Sequence, residues 1–255
     1  MEHWYQEMGK LLLSGHSLSF RQKLGYDFYQ SFLEGSRWKL YVRGLGTTLT
    51  ITVLALALGI VLGVLTALVR TARDQRRDPR PAPVLSLLNA VCKIYVTVIR
   101  GTPMMVQLLI MGFVIFQSSR NTTMVAALAF GINSGAYVSE IIRGGIMAVD
   151  PGQAEAGRCL GLKQSQVMRF IVIPQAVRTI LPALGNEFIT LLKDTSIVTV
   201  IGGMDITKAA LLIQGKTYGG FMSLFGVALV YLVLVLFFTW ILDNLERRMR
   251  RSDRH

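Results

Sequence analysis

Apolar residues in this chain gather into long runs, and the charged residues stand at the ends of those runs. Gly44 to Val69, between Arg43 and Arg70, holds 26 residues without a charge, and Thr217 to Leu242, between Lys216 and Asp243, holds another 26. A helix needs about 20 residues to cross a hydrocarbon core of about 30 Å, so each run predicts a transmembrane span. A buried helix of a soluble core fails as an explanation, because such helices average about 11 or 12 residues and keep a polar face. Gly101 to Ser119 and Asn121 to Ser139 add two uncharged runs of 19 residues, separated by Arg120. A fifth run, Thr179 to about Gly203, is interrupted by Glu187, Lys193 and Asp194. The pattern predicts an all-α integral membrane protein with about five spans, near 45–69, 101–119, 121–143, 179–203 and 218–242. They form a membrane domain over 44–245, with an extension at 1–43 before it and a basic tail at 246–255 after it. In the extension, Tyr26, Phe28, Tyr29, Phe32, Trp38 and Tyr41 are interleaved with charges, which predicts an amphipathic helix lying in the membrane interface.

The basic residues give the spans a direction. Arg70, Arg73, Arg76, Arg77 and Arg80 follow the first span, and Arg247, Arg248, Arg250, Arg251 and Arg254 follow the last. Arg143, Arg158, Lys163, Arg169 and Arg178 lie between the third and fourth, whereas the alternate connections hold Arg120 in one case and Lys208 and Lys216 in the other. By the positive-inside rule the arginine-rich loops and the C-terminus face the cytoplasm, and the N-terminus lies outside a multi-pass cell membrane protein. The extension carries six Lys and Arg to that outer side, offset by Glu2, Glu7, Asp27 and Glu34.

Composition agrees, at 52% hydrophobic, 16% charged and a mean hydropathy of +0.47. The net charge of +12 sits in the membrane flanks and not in a groove-like stripe, so nucleic acid is not the expected partner. The first 30 residues lack the apolar core of a signal peptide. Cys92 and Cys159 fall near the reducing cytoplasmic side, and no disulfide is expected. The chain has no G-x-x-x-x-G-K-[ST] loop, so ATP hydrolysis belongs to a separate subunit. His3, His16 and His255 all lie at the termini, which argues against an intramembrane metal or a Ser/His pair. The expectation is a chain that is not an enzyme and binds no cofactor.

Residues 150–174, between the third and fourth spans, are densely punctuated. Asp150 can cap a helix that Pro151 begins, Glu155 lies near its positive end, and Gly161 supplies a left-handed stop. Ser165 can cap a second helix carrying Val167, Met168, Phe170 and Ile171 until Pro174 breaks it. Leu160, Leu162, Met168 and Phe170 are apolar for a cytoplasmic connector, which predicts a docking surface.

These residues resemble the pattern of ABC importer permeases: E-A-A, three residues, G, nine residues, I, one residue, L-P. Here it reads Glu155, Ala156, Gly157, then Gly161, then Ile171, Ile173 and Pro174, with Gly157 in place of the second Ala and Ile173 in place of Leu. The resemblance covers about residues 40 to 245 and is nearest the polar amino-acid uptake type. It includes Arg100-Gly101-Thr102-Pro103 opening the second span, Asn133 to Tyr137 in the third, and Asn186 to Thr195 in the fourth. It implies a type I importer fold and coupling through Glu155, Ala156, Gly157, Leu160, Gly161, Ile171 and Pro174. The implied partners are a second permease copy or a sibling permease, cytoplasmic ATPases carrying the ATP, and an extracytoplasmic solute-binding protein. Asn133, Tyr137, Glu187, Lys193, Asp194 and Thr195 are the candidates for the amino-acid pathway.

Physical reading leaves several alternatives open. Ionisable groups at mid-membrane cost about 2.5–3.5 kcal/mol on insertion scales, so Glu187, Lys193 and Asp194 either line a route for a zwitterion or find partners in neighbouring helices. Glu140 and Arg143, three apart, read as a local ion pair. Gly59/Gly63 and Gly131/Gly135 form G-x-x-x-G pairs that serve either packing within one subunit or a dimer contact. An ion-coupled secondary transporter or a non-transporting scaffold would share the hydropathy but not the loop pattern. Orientation is directly measurable in intact cells: single cysteines at Arg76, Gln164 and Ser252 are expected to resist a membrane-impermeant thiol reagent, and one at Ser119 to react. The reverse pattern overturns the orientation.

Overall fold

The computed structural model describes residues 2–74 and 82–251, and these are helical with no strands. Arg76, Arg77, Arg80, Ser252, Arg254 and His255 lie outside the described residues. The chain runs through α1 (Glu2–Leu13), α2 (Phe20–Phe28), α3 (Trp38–Asp74), α4 (Pro83–Gly101), α5 (Met104–Ile110) and α6 (Thr122–Met147). It continues through α7 (Pro151–Cys159), α8 (Gln164–Val167), α9 (Ile173–Asp194), α10 (Ile206–Thr217) and α11 (Gly220–Arg251). Five helical stretches are long and apolar enough to cross a membrane: Trp38–Asp74, Pro83–Gly101, Thr122–Met147, Gln164–Ile201 and Gly220–Met249.

The second span is therefore Pro83–Gly101, and not the uncharged run 101–119. Lys93 and Arg100 lie inside this helix and cut its hydropathy, which hid it in the sequence. The run after it holds only a short helix, Met104–Ile115, whose 12 residues reach about 18 Å at about 1.5 Å per residue. The break between them is chemical. Thr102 precedes a proline and is extended (φ −119°, ψ 145°), as the clash with the proline ring demands, and Pro103 (ψ 134°) stands just ahead of α5. Five candidate spans remain, three of them between the extension and the 150–174 loop.

Pro174 does not end a helix either. It falls in the first turn of α9, and the turn before it, Met168–Val172, is π-helical, which joins α8 to α9 as one rod. A proline has no N–H and its ring crowds the carbonyl four residues back, so a wider turn there relieves the clash without breaking the axis. Lys163, not Ser165, is the cap: its N–H donates to Gln166 Oε1 at 2.8 Å.

The two G-x-x-x-G pairs face each other across α3 and α6. A Cβ at Gly59 would lie 2.8 Å from Ser134 Oγ, and one at Gly63 would lie 2.7 Å from Val138 Cβ. Conversely, a Cβ at Gly131 would meet Leu58 Cβ at 2.9 Å, and one at Gly135 would meet Leu62 Cβ at 2.8 Å. Each helix thus sets a side chain into the notch left by the other's glycine, and both motifs are spent within one subunit. Ile51, Ala55, Val125, Ala126, Ala129 and Phe130 continue the seam as a buried core. At the other end of α3, Gly44 lets α10 cross so closely that a Cβ would fall 2.7 Å from the Asp205 carbonyl oxygen. Tyr41, Ile206, Ala210, Ile213 and Val227 form a second core there.

Gly63→Leu is expected to destabilise the isolated subunit by at least the roughly 1–3 kcal/mol typical of overpacking, read as a lower melting temperature in detergent. Gly46→Leu, at a glycine with no neighbour within 4 Å, is the control expected to leave it unchanged.

Candidate functional site

One stretch of α6, Asn133 to Tyr137, is the point at which the helices meet. Asn133 Nδ2 donates to Gln107 Oε1 of α5 at 3.0 Å. Gln107 Nε2 in turn donates to the Ile99 carbonyl at 2.7 Å and to Thr102 Oγ1 at 2.8 Å, bridging the break between α4 and α5. Ser134 Oγ donates to Glu187 Oε1 of α9 at 2.7 Å. Gly135 admits Tyr95 of α4, whose hydroxyl donates to the Ile132 carbonyl at 2.6 Å. Ala136 is fully buried, and the Tyr137 ring carries the Arg100 guanidinium 5.1 Å from its centroid. Small residues make this convergence possible, because only Ser, Gly and Ala leave room for other helices on three sides at once.

The pathway candidates divide on this geometry. Asn133, Tyr137 and Glu187 are drawn together by α6. Lys193 and Asp194 lie beyond them, at the far end of α9, with Lys193 exposed and Asp194 half-buried. Among the described residues no salt bridge within 4 Å joins these two neighbours in the chain. Thr195 is buried, and its hydroxyl donates to the Leu192 carbonyl at 2.7 Å, which commits it to finishing its own helix. Arg100 and Gln107 also join this convergence, which the sequence reading did not anticipate. Lys93 and Arg100 are exposed on a spanning helix and seven residues apart, hence on one face, which is a signal readable once the second span is placed.

Toward the opposite face, Glu140 accepts from both Arg70 of α3 and Arg143 of α6, the latter at 3.0 Å. The carboxylate thus ties α3 to α6 just before the 150–174 loop, in addition to the local pair read from the sequence.

That loop is built as one short helix, α7, that meets the start of the α8–α9 rod at a left-handed corner. Asp150 Oδ1 accepts from the Gly152 N–H at 2.8 Å, Pro151 opens α7, and Gly161 sits at φ +85°. Only glycine adopts that conformation without strain. Glu155 is exposed, 3.7 Å from Arg158, and Ala156 is exposed beside it. Gly157 is buried against the incoming α8–α9 rod: a Cβ there would lie 2.6 Å from Ile171 Cδ1. Its departure from the E-A-A pattern therefore has a packing cause. Of the four apolar residues expected on a docking surface, Leu160 (83%) and Phe170 (63%) are exposed, while Leu162 and Met168 are half-buried and brace the corner.

A helical bundle of five candidate spans, with a capped, partly apolar loop at one end, is the layout of a membrane transport subunit that works with a partner outside the membrane. Residues 84–251 match the binding-protein-dependent transport system inner membrane components, and the chain belongs to that family of transport permease subunits. It is 35% identical over 211 residues to a putative glutamine transport system permease protein of Rickettsia felis, covering 82% of this chain and 92% of that one. It is 36% identical over 215 residues to the glutamine transport system permease protein of Escherichia coli, covering 83% and 93%. A solved structure described as an amino acid ABC transporter with histidines superposes with a TM-score of 0.75 at 39% identity, over 91% of this chain and 99% of that chain. The inward-facing MetNI methionine ABC transporter shares the fold, with a TM-score of 0.68 at 19% identity over 86% and 99%.

Proposed function

We propose that this chain forms the translocation route of an ATP-driven importer for polar amino acids, and that the convergence on Asn133–Tyr137 is its substrate-facing centre. The observation that carries this reading is the set of charges at that level: Glu187 held by Ser134, and Arg100 held over Tyr137. Charged side chains in spanning helices are sustained where they face water or a partner. Carboxylates suit an α-ammonium, and Arg100 with Lys93 suits an α-carboxylate. The relatives named as glutamine permeases and the amino-acid transporter structure support a polar amino acid as cargo. Lys193, Asp194 and Thr195 mark the outer end of the same route.

In this reading a second permease copy or sibling completes the pathway, and an extracytoplasmic binding protein delivers the solute. The 150–174 loop docks on a cytoplasmic ATPase through Leu160 and Phe170, with Glu155, Ala156, Gly157, Gly161, Ile171 and Pro174 shaping the contact. The N-terminus lies outside and the C-terminus inside the cytoplasmic membrane. ATP stays on the partner. An ion-coupled transporter would have no use for a capped, apolar cytoplasmic corner.

Gly161→Val forces a β-branched residue to φ +85°, at about 1–2 kcal/mol or more, and is expected to leave the complex assembled while abolishing the stimulation of ATP hydrolysis by loaded binding protein. Normal coupled transport in that variant would sink the docking role.

Asp194→Asn removes a charge without changing shape and is expected to lower amino-acid uptake by roughly ten- to a hundredfold, the scale of a hydrogen bond to a charged group at about 1.5–3 kcal/mol. Because no salt bridge within 4 Å joins Lys193 to Asp194, the lining role expects Lys193→Gln to add to this loss and not restore it, with thermal stability held in all three variants. Unaltered uptake across the two single changes and the double change refutes the lining role, and rescue by the double change assigns the pair to the scaffold.

A further inference from the structure

Residues 2–36 take no part in the route or the docking loop, yet they are firmly packed. Tyr5 of α1 is stacked between Tyr26 and Tyr29, each at 4.6 Å between ring centroids. Trp4 lies over Gly25, where a Cβ would come within 3.0 Å of its ring. The resulting helical hairpin is fastened to two spans. Phe32 stacks on Tyr41 of α3 at 5.1 Å and occupies the notch left by Gly226 of α11. A turn at Gly35 and Ser36, both at positive φ, then leads into α3, and Arg37 steadies it by pairing with Glu34 at 2.6 Å. The far end of α3 carries Arg70, which meets Glu140 near the docking loop, so the hairpin lies at the opposite membrane face.

The face of α2 turned away from these contacts is apolar. Phe20, Leu24 and Phe28, four residues apart, form one stripe and are 81%, 41% and 49% exposed. Leu13, at the end of α1, is 91% exposed. Arg21 and Lys23 are exposed beside the stripe. Large apolar residues aligned in this way seek a covering surface. Continuity says which one. Phe28 contacts Phe32 at 5.1 Å, and Phe32 abuts α3 and α11, whose outward residues Trp38, Val42, Phe221 and Phe225 begin two membrane spans. The stripe is thus an extension of the lipid-facing surface at the level where the spans leave the hydrocarbon, where aromatic residues are favoured.

We propose that the hairpin is an interfacial anchor, with Phe20, Leu24 and Phe28 seated at the headgroup–acyl boundary of the leaflet opposite the docking loop, and Arg21 and Lys23 reaching phospholipid phosphates. Long basic side chains flanking an apolar helix face do this by keeping their stems in the apolar layer and their charges in water. The anchor fixes the height of α3 in the membrane, and through Gly226 that of α11.

The test uses the assembled importer in phospholipid vesicles, with Cys92 and Cys159 replaced by serine and a nitroxide attached through Phe20→Cys, Leu24→Cys, Phe28→Cys or Lys23→Cys. Collision rates with oxygen, which partitions into lipid, and with a water-soluble nickel chelate are compared by electron paramagnetic resonance. The expected result is an oxygen-to-nickel ratio severalfold higher at 20, 24 and 28 than at 23. Equal ratios place the stripe in water and overturn the proposal. Shielding of the stripe from both reagents overturns it as well, because a second copy or a binding protein would then be the cover. Any one stripe position that assembles decides the matter, and uptake by the unlabelled importer separates this outcome from the transport reading.

Discussion

The contact between α3 and α6 sets the geometry of everything else. Lipid tails are as apolar as leucine, so two spanning helices gain nothing from hydrophobic burial against each other and must gain from fit. Gly59, Gly63, Gly131 and Gly135 provide it by letting Leu58, Leu62, Ser134 and Val138 sink into the facing helix. The approach brings Ser134 against α3 while leaving its hydroxyl to reach Glu187. It also brings Arg70 and Glu140 together one end further on. A looser crossing would cost half-buried Glu140 its arginine on α3 and half-buried Glu187 its hydrogen bond from Ser134.

This explains why the most polar stretch of α6 is also its most crowded. Asn133, Ser134 and Tyr137 each reach a different helix, and the residues between them are Gly135 and Ala136. Large side chains there would hold neighbours apart, and apolar ones would leave Gln107 and Glu187 unsatisfied. The sequence N-S-G-A-Y answers both demands at once.

Most of the architecture was legible in the sequence because lipid enforces a strict rule: spans are long, apolar and flanked by arginine. The first, third and last spans obeyed it, and the fourth kept enough apolar residues around Glu187, Lys193 and Asp194 to be found. The second did not, because Lys93 and Arg100 fall inside Pro83–Gly101, and a scan for uncharged runs moved the span one segment along to a stretch broken by Thr102 and Pro103. Exposed charge in a span calls for an explanation, so the reading failed at residues that the proposed route would use. The loop at 150–174 was legible in its caps, Asp150 and Gly161, since these act through local backbone chemistry. The fate of Pro174 was not, because a π-helical turn upstream depends on how the rod packs under Gly157, a tertiary matter. Nor could spacing say which helix the glycine motifs would meet.

The continuity of the rod from Gln164 to Ile201 has a consequence for the proposed coupling. One end packs under α7 through Val167 and Ile171, and the other carries Glu187, Lys193 and Asp194. A force applied at the docking corner would reach the charged residues in two ways: along this rod, and along α6 through the Arg70–Glu140–Arg143 clamp. The rod carries Pro182 inside α9, a place where a helix bends most readily, so a shift entering along it would be divided between movement of the whole rod and flexing at that proline. The hydrogen bond from Ser134 to Glu187 is the cross-link between the rod and α6. If the two shift relative to each other as access alternates, that bond lies where the shift is felt, and a carboxylate released from Ser134 is free to hold an ammonium. The same carboxylate would then serve as a latch in one state and a ligand in the other, which accounts for its place beside small residues and not within a closed ion pair.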